Sequence, residues 1–355
     1  MSAQSDKRTG GIVGERHRAR IRRATPRAAA LTASPSLALV LALGLALSLL
    51  AGCTHHGPGD ARPPRHTPTA PPPSPPPPAP SATAAGSPLA VKIDNVSAAR
   101  PQTGLDAADV VYAEQVEGGL SRLMAVYATR LPRTVGPVRS ARASDLELLR
   151  QFHRPTLAFS GAQHKLLPLI DKAPLRAESP DEAPAAYYRG SGRAAPHNLY
   201  VHPGKLLPSA PGKAALTTGF RYGPAPSGGT PTASRTVRYP AARFGFTWSP
   251  ARHRWLVAMD GTPTTTTDGA RVAAATVVVQ YVKITASRYH DVLGNHTPST
   301  ETVGSGKAQV LRDGRSFDAS WSRPAATDGT TFTAADGSRM NFADGQVWVV
   351  FAPAP

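Results

Sequence analysis

Cysteine occurs once in this 355-residue chain, at Cys53, so no intrachain disulfide can form and no CxxC or His/Cys zinc spacing exists. The fold must therefore rest on its apolar core and its hydrogen bonds. Acidic residues are scarce: 23 Asp and Glu stand against 40 Lys and Arg, for a formal net charge of +17. The apolar run SLALVLALGLALSLLA over residues 36–51 has 16 residues, short of the roughly 20 that span a bilayer comfortably. No G-x-S-x-G, H-E-x-x-H, Walker or Rossmann pattern is present, which leaves the common hydrolase, zinc-peptidase, P-loop and dinucleotide classes without a motif.

What is present begins with an export signal. A basic segment, the apolar run and the ending Leu50-Ala51-Gly52-Cys53 read as a signal peptide over residues 1–52. The Leu-Ala-Gly-Cys ending resembles the bacterial lipobox. It implies cleavage before Cys53, lipidation of its sulfur and anchoring at the extracytoplasmic face of the cell membrane. Residues 53–87 hold the lipidated cysteine and a proline-rich spacer. With twelve prolines in residues 54–87, this segment can build neither helix nor ladder. Extended at ~3.1 Å per residue, it would lift the foldable part on the order of 100 Å from the bilayer. Residues from 88 onward carry +10 of the net charge, which attracts anionic partners. A cell-wall polymer or a lipid-linked phosphate is expected, with the membrane reached through the anchor; nucleic acid is not an expected partner.

The foldable part starts near Leu89, where LAVKID reads as a buried strand ending in Asp94-Asn95. Residues 109–116 form a second strand, with Val110, Tyr112, Glu114 and Val116 on one face. Gly118-Gly119 permits a reversal, and residues 122–128 return with Leu123, Ala125 and Tyr127 alternating against Met124 and Val126. Ser144-Asp145-Leu146-Glu147 fits a capping box, so a helix is expected from Asp145 to about Phe152, before Pro155. Residues 209–234 are rich in Gly, Pro, Ser and Thr. Beyond them lie all six Asp-Gly pairs of the chain, between runs such as FGFTWS, WLVAM, TVVVQYVKI and QVWVVFA. Asp-Gly suits hairpin turns because both residues tolerate positive φ. The expected fold class is α+β: a mixed α/β N-terminal domain over residues 88–208, a connecting segment over 209–235, and a predominantly antiparallel β C-terminal domain over 236–355.

Several phrases carry a resemblance. VKIDN with ARPQTGL, DVVYAEQVEGGLSR, GPVRSAR and APHNLY, then TVVVQYV, GSGKAQV and GQVWVVFAP, together resemble the YerB-like bacterial lipoproteins, a family with a domain of unknown function numbered 3048. The phrases match in order over residues 88–355. The resemblance implies an envelope lipoprotein with a mixed N-terminal and a β-rich C-terminal domain. It implies no activity, because none is established for the family.

The candidate site residues cluster around the hairpin. Arg139 and Arg142 precede the expected helix start, where free N–H groups and the dipole favour anions. With Arg122 on the return strand, they could clamp a phosphate or carboxylate; the alternative is internal pairing with Glu114, Glu117 or Asp145. Glu114 and Glu117 are acid/base candidates, although strict alternation puts them on opposite faces. His197 can shuttle protons near neutral pH, and Asn198 beside it can donate to an oxyanion. Asp94 and Asn95 offer oxygens to a divalent cation such as Mg²⁺ or cap a turn; no other cofactor is evident. Two functions are open. One is a binding or scaffold lipoprotein holding an anionic envelope ligand. The other is a phosphoryl or glycopolymer transferase acting on a lipid-linked pyrophosphate. The hairpin and arginine loop are similar in pattern to the LytR-CpsA-Psr phosphotransferases, an analogy that does not establish function. A transferase requires Glu114, Asp94 and Arg139 to converge in one cleft.

Overall fold

A computed structural model of the chain describes residues 86–291 and 294–354. The signal peptide, Cys53 and most of the spacer lie outside the described residues. Strands β1 (Leu89–Asp94), β2 (Val110–Gln115) and β3 (Ser121–Tyr127) come first. Helix α1 (Ala143–Leu149), β4 (Thr156–Ala158), α2 (Leu167–Asp171) and β5 (Arg176–Glu178) follow. Next are the small hairpin β6 (Tyr187–Arg189) and β7 (Leu199–Val201), then α3 (Pro203–Leu206). After them come β8 (Thr230–Pro231), β9 (Ser234–Tyr239), β10 (Ala242–Ser249), β11 (Arg254–Met259), β12 (Thr262–Pro263) and β13 (Ala273–Ala274). The remaining strands are β14 (Thr276–Val282), the hairpin β15 (Ile284–His290) and β16 (His296–Thr300), β17 (Gly304–Arg312), β18 (Arg315–Arg323), β19 (Thr331–Ala334) and β20 (Val347–Pro353).

Runs that are apolar without alternation must be covered on both faces. TVVVQYV (β14) and VWVVFAP (β20) obey this by pairing in parallel inside an 11-stranded sheet of order β19-β18-β17-β14-β20-β2-β3-β1-β4-β5, with β8 on β18. β2 runs parallel to β20, Tyr112 opposite Val349 and Ala113 opposite Val350. Strands from both sides of residues 209–235 thus share one sheet. This departs from the expected division into a mixed α/β domain over residues 88–208 and a separate antiparallel β domain over 236–355. The physical reason is burial: β20 is apolar on both faces, so it belongs inside the sheet, covered on each face and flanked by β14 and β2. The chain is predominantly β with some α.

The alternation read for the hairpin holds. Val111, Ala113, Leu123, Ala125 and Tyr127 enter one core, and Val110, Tyr112, Met124 and Val126 enter the other. The first core lies against the five-stranded sheet of β9 to β13 and contains Phe244, Phe246, Trp255 and Trp348. Tyr239 ties the two sheets: its hydroxyl donates to the Ala113 carbonyl at 3.0 Å and the Phe351 carbonyl at 2.7 Å. The second core packs under α1 and α2 through Leu148, Leu149 and Ile170. Two of the Asp-Gly pairs adopt positive φ at both residues: 53° and 89° at Asp260-Gly261, 51° and 72° at Asp313-Gly314. Both turns join antiparallel neighbours.

The helix start differs from the expected Ser144–Glu147 box. Helix α1 begins at Ala143 and ends at Leu149, and the Asp145 carboxylate accepts the Arg142 N–H at 2.6 Å. Ser144 donates to Glu114 at 3.3 Å, while Glu147 accepts from the Thr302 amide and hydroxyl at 3.0 and 2.9 Å. Neither half of the expected box is available to the backbone: Glu114 takes the Ser144 hydroxyl, and Thr302, more than 150 residues away in sequence, occupies Glu147.

Candidate functional site

Register builds the site. In the pairings of β1, β3 and β2, Asp94 lies opposite Arg122 and Arg122 opposite Glu114, so the three stand in one row on one face. One row further into the sheet are Lys92, Met124 and Tyr112. The segment before α1 then runs back along β1: the Asp94 amide donates to the Pro137 carbonyl at 2.9 Å and the Arg139 amide to the Lys92 carbonyl at 2.8 Å. That path brings Arg139 and Arg142 over the row. Two charged clusters result.

The first is closed. Lys92 Nζ lies 3.0 Å from Glu114 Oε2 and 2.6 Å from Asp145 Oδ1, with all three side chains at 2% exposure or less. Burial, and then the neighbouring Asp145 charge, push the Glu114 carboxyl up to about 7 against the pull of Lys92. Glu114 is therefore the carboxyl of this cluster pushed toward its protonated form.

The second lines an open cleft of about 380 Å³. Arg142 grips Glu117 with both nitrogens of a fork, Nε to Oε1 at 2.7 Å and Nη2 to Oε2 at 2.8 Å, and the Thr297 hydroxyl donates to the same carboxylate. Burial opposes ionisation of Glu117, but the Arg142 bonds and charge, helped by Thr297, outweigh it and hold the carboxyl below its ordinary range. Asp94 Oδ2 sits between Arg139 Nε at 3.1 Å and His197 Nδ1 at 2.8 Å. Arg122 Nη1 donates to the Ser140 carbonyl at 3.0 Å. No carboxylate among the described residues lies within ion-pair distance of Arg122. Burial, then the Arg142 and Arg139 charges, push its guanidinium down to about 9, against the more distant Glu117 and Asp94. The Nη groups of Arg139 donate to none of the described residues.

The predicted residues thus divide. Asp94, Glu117, Arg122, Arg139 and Arg142 line the cleft, and His197 reaches it through Asp94. Glu114 does not line it, being held beneath by Lys92, so Glu114 and Glu117 do not form a shared acid/base pair. Arg142 takes the alternative of internal pairing, its fork holding the Glu117 carboxylate. Asn95 is spent on structure: its amide donates to the Ser121 hydroxyl at 2.9 Å and its oxygen accepts from Gln102 at 2.9 Å. Asn198 bonds to Gly190 and Arg189 within the β6–β7 hairpin, at 2.9 and 2.8 Å. Asp94, offered as a cation ligand, faces two basic side chains instead. Lys92 was missed; the signal was a lysine inside an apolar strand, two residues from Asp94 and hence on the same face. Thr297, 180 residues from Glu117, left no local signal.

Comparison with known proteins agrees with this architecture. Residues 76–217 match the description "Protein of unknown function (DUF3048) N-terminal domain", and residues 235–349 match its C-terminal domain. The chain is 23% identical over 282 residues to "Putative lipoprotein YerB" of Bacillus subtilis (strain 168), covering 75% of this chain and 81% of that protein. The crystal structure of the YerB protein from Bacillus subtilis is similar at a TM-score of 0.62 and 20% identity, covering 75% of this chain and 91% of that one. At such identity the likeness shows the fold alone.

Proposed function

Because the chain belongs to the DUF3048 family of proteins of unknown function, we propose a role from its own residues: a lipid-anchored envelope protein whose cleft binds an anionic ligand through Arg122, with Arg139 beside it. The anchor reading is supported by the Leu-Ala-Gly-Cys ending and by the name of the Bacillus subtilis relative. The extracytoplasmic face follows from the export signal before Cys53. Cys53→Ala is expected to abolish acyl labelling and leave unprocessed precursor or released protein; unchanged labelling and normal membrane retention would reject the anchor.

Arg122 carries the binding reading. It sits between two carboxylates in its row, Asp94 and Glu114, yet pairs with neither, because other cations have taken both. A guanidinium keeps its proton at physiological pH, so its charge calls for an anion from outside. The transferase reading lacks its required convergence: Asp94 and Arg139 meet, but Glu114 is sealed under Lys92. The test is pyrophosphate binding by the full chain in calorimetry. Arg122→Gln should weaken it about tenfold, the loss of one charge-assisted hydrogen bond. Binding that ignores the substitution would remove Arg122 from the role.

A further inference from the structure

The choice of ligand class rests on the anion-binding reading, and two features of the cleft narrow it. The first is charge. Both oxygens of Glu117 are on Arg142. Asp94 is shared by Arg139 and His197. At the rim, Asp291 accepts from Asn295 through both oxygens, at 2.9 and 3.0 Å. Three guanidiniums therefore meet Asp94 and Glu117, which leaves one positive charge within that cluster, while the Asp291 carboxylate, not neutralised by an amide donor, adds a negative charge to the lining. A multiply charged ion such as pyrophosphate would overshoot the one positive charge and press against carboxylates lining the same space.

The second feature is the apolar part of the lining. Val116, Leu166 and Tyr289 line the cleft at 4%, 2% and 9% exposure. Leu120, at the turn after Gly118-Gly119, is 39% exposed. Among the described residues it is one of three large apolar side chains this exposed, and of those three it alone lines the cleft. A leucine left in water beside buried apolar neighbours gains free energy from any apolar group laid across it.

We propose that the cleft binds an amphiphile: a singly charged anionic head held by Arg122 and the unengaged Nη groups of Arg139, with an apolar chain along Val116, Leu120, Leu166 and Tyr289. A volume of about 380 Å³ is near the small end of ligand pockets, roughly 300–1,000 Å³. It suits a head and the first part of one chain, the rest extending outward past Leu120. A fatty-acyl carboxylate and a lipid phosphodiester share this chemistry.

The experiment is calorimetric titration of the full chain carrying Cys53→Ser, which keeps an attached acyl group out of the assay. Four probes are compared below their aggregation thresholds: dodecanoate, dihexanoyl phosphatidylglycerol, uncharged octyl glucoside, and pyrophosphate. At least one anionic amphiphile should bind about tenfold more tightly than the uncharged one, as expected for a charged head on a guanidinium. It should also bind more tightly than pyrophosphate, and the better of the two tells a carboxylate from a phosphodiester. Leu120→Ser should weaken the amphiphile about tenfold and leave pyrophosphate unchanged, whereas Arg122→Gln should weaken both. Arg122-dependent binding of pyrophosphate that equals or exceeds both amphiphiles overturns the amphiphile and spares the anion site. Octyl glucoside binding as tightly as the anionic amphiphiles overturns selection of the head. If no probe binds in an Arg122-dependent way, both readings fall.

Discussion

Lys92 and Arg122 stand on adjacent strands one row apart, yet their surroundings settle charge in opposite ways. Around Lys92 two carboxylates face one ammonium. The surplus is negative, and a carboxyl can absorb it by taking a proton, which is the direction in which Glu114 is pushed. Around Arg122 three guanidiniums face Asp94 and Glu117. The surplus is positive, and arginine has no neutral form to retreat to near physiological pH. The closed cluster can balance itself, whereas the open one needs an anion from solution or from a ligand. Excess charge therefore points to a ligand only where its carrier cannot titrate it away.

The largest effect should come from breaking the closed cluster. Lys92→Met leaves Glu114 and Asp145 buried without a cation and should cost about 3–5 kcal/mol by denaturant unfolding near neutral pH. The deficit should shrink in acid, where Glu114 takes a proton; a deficit that stays constant with pH would show that lost packing, and not lost charge, is the cause. Next is the fork in the cleft. Arg142→Ala strands the Glu117 carboxylate at a mostly buried position, 8% exposed, and should cost about 2–3 kcal/mol. Because Glu117 is held below its ordinary range, its contribution is present above that range and lost as pH falls through the depressed value. Arg142→Ala should therefore converge on wild type in strong acid.

A smaller effect separates the clusters by pH alone. Glu114 moves from an ordinary 4.5 to about 7 in the folded protein, so between those values the folded state binds more protons than the unfolded one. Its contribution is complete below about 4.5 and is lost as pH rises through about 7. Wild-type stability should decline across that window, and Glu114→Gln should flatten the decline; an unchanged slope would assign it to another group. The smallest effect is expected at Arg122. Arg122→Gln gives up one bond to the Ser140 carbonyl but relieves repulsion from Arg139 and Arg142, so unfolding without ligand should shift by no more than about 0.5 kcal/mol. A loss as large as that at Arg142 would erase the contrast between a paired guanidinium and an unpaired one.

Much of the local structure was legible from residue order. Period-two alternation assigned Val110 and Tyr112 to one core and Val111 and Ala113 to the other. Asp-Gly pairs marked the turns at Asp260 and Asp313 because few other dipeptides accept positive φ twice. The hairpin and the arginine loop, singled out by their charged residues, are where Asp94, Glu117, Arg122, Arg139 and Arg142 come together. The box at Ser144 misled because its two halves are satisfied from elsewhere, Ser144 by Glu114 and Glu147 by Thr302.

By itself the sequence determined the expectation of an export signal cleaved before Cys53, the faces of the hairpin strands and the surplus of arginine over carboxylate. These rest on short-range rules of residue type and spacing. Only the tertiary structure decided that β2 pairs with β20, that Arg142 takes Glu117 while Lys92 takes Glu114 and Asp145, and that Arg122 is left over beside an exposed Leu120. A charged side chain can pair with any opposite charge that folding brings near, and strand periodicity carries no record of which strand will lie alongside. Those choices were made by burial, which set β20 against β2 and fixed which carboxylate each cation could reach.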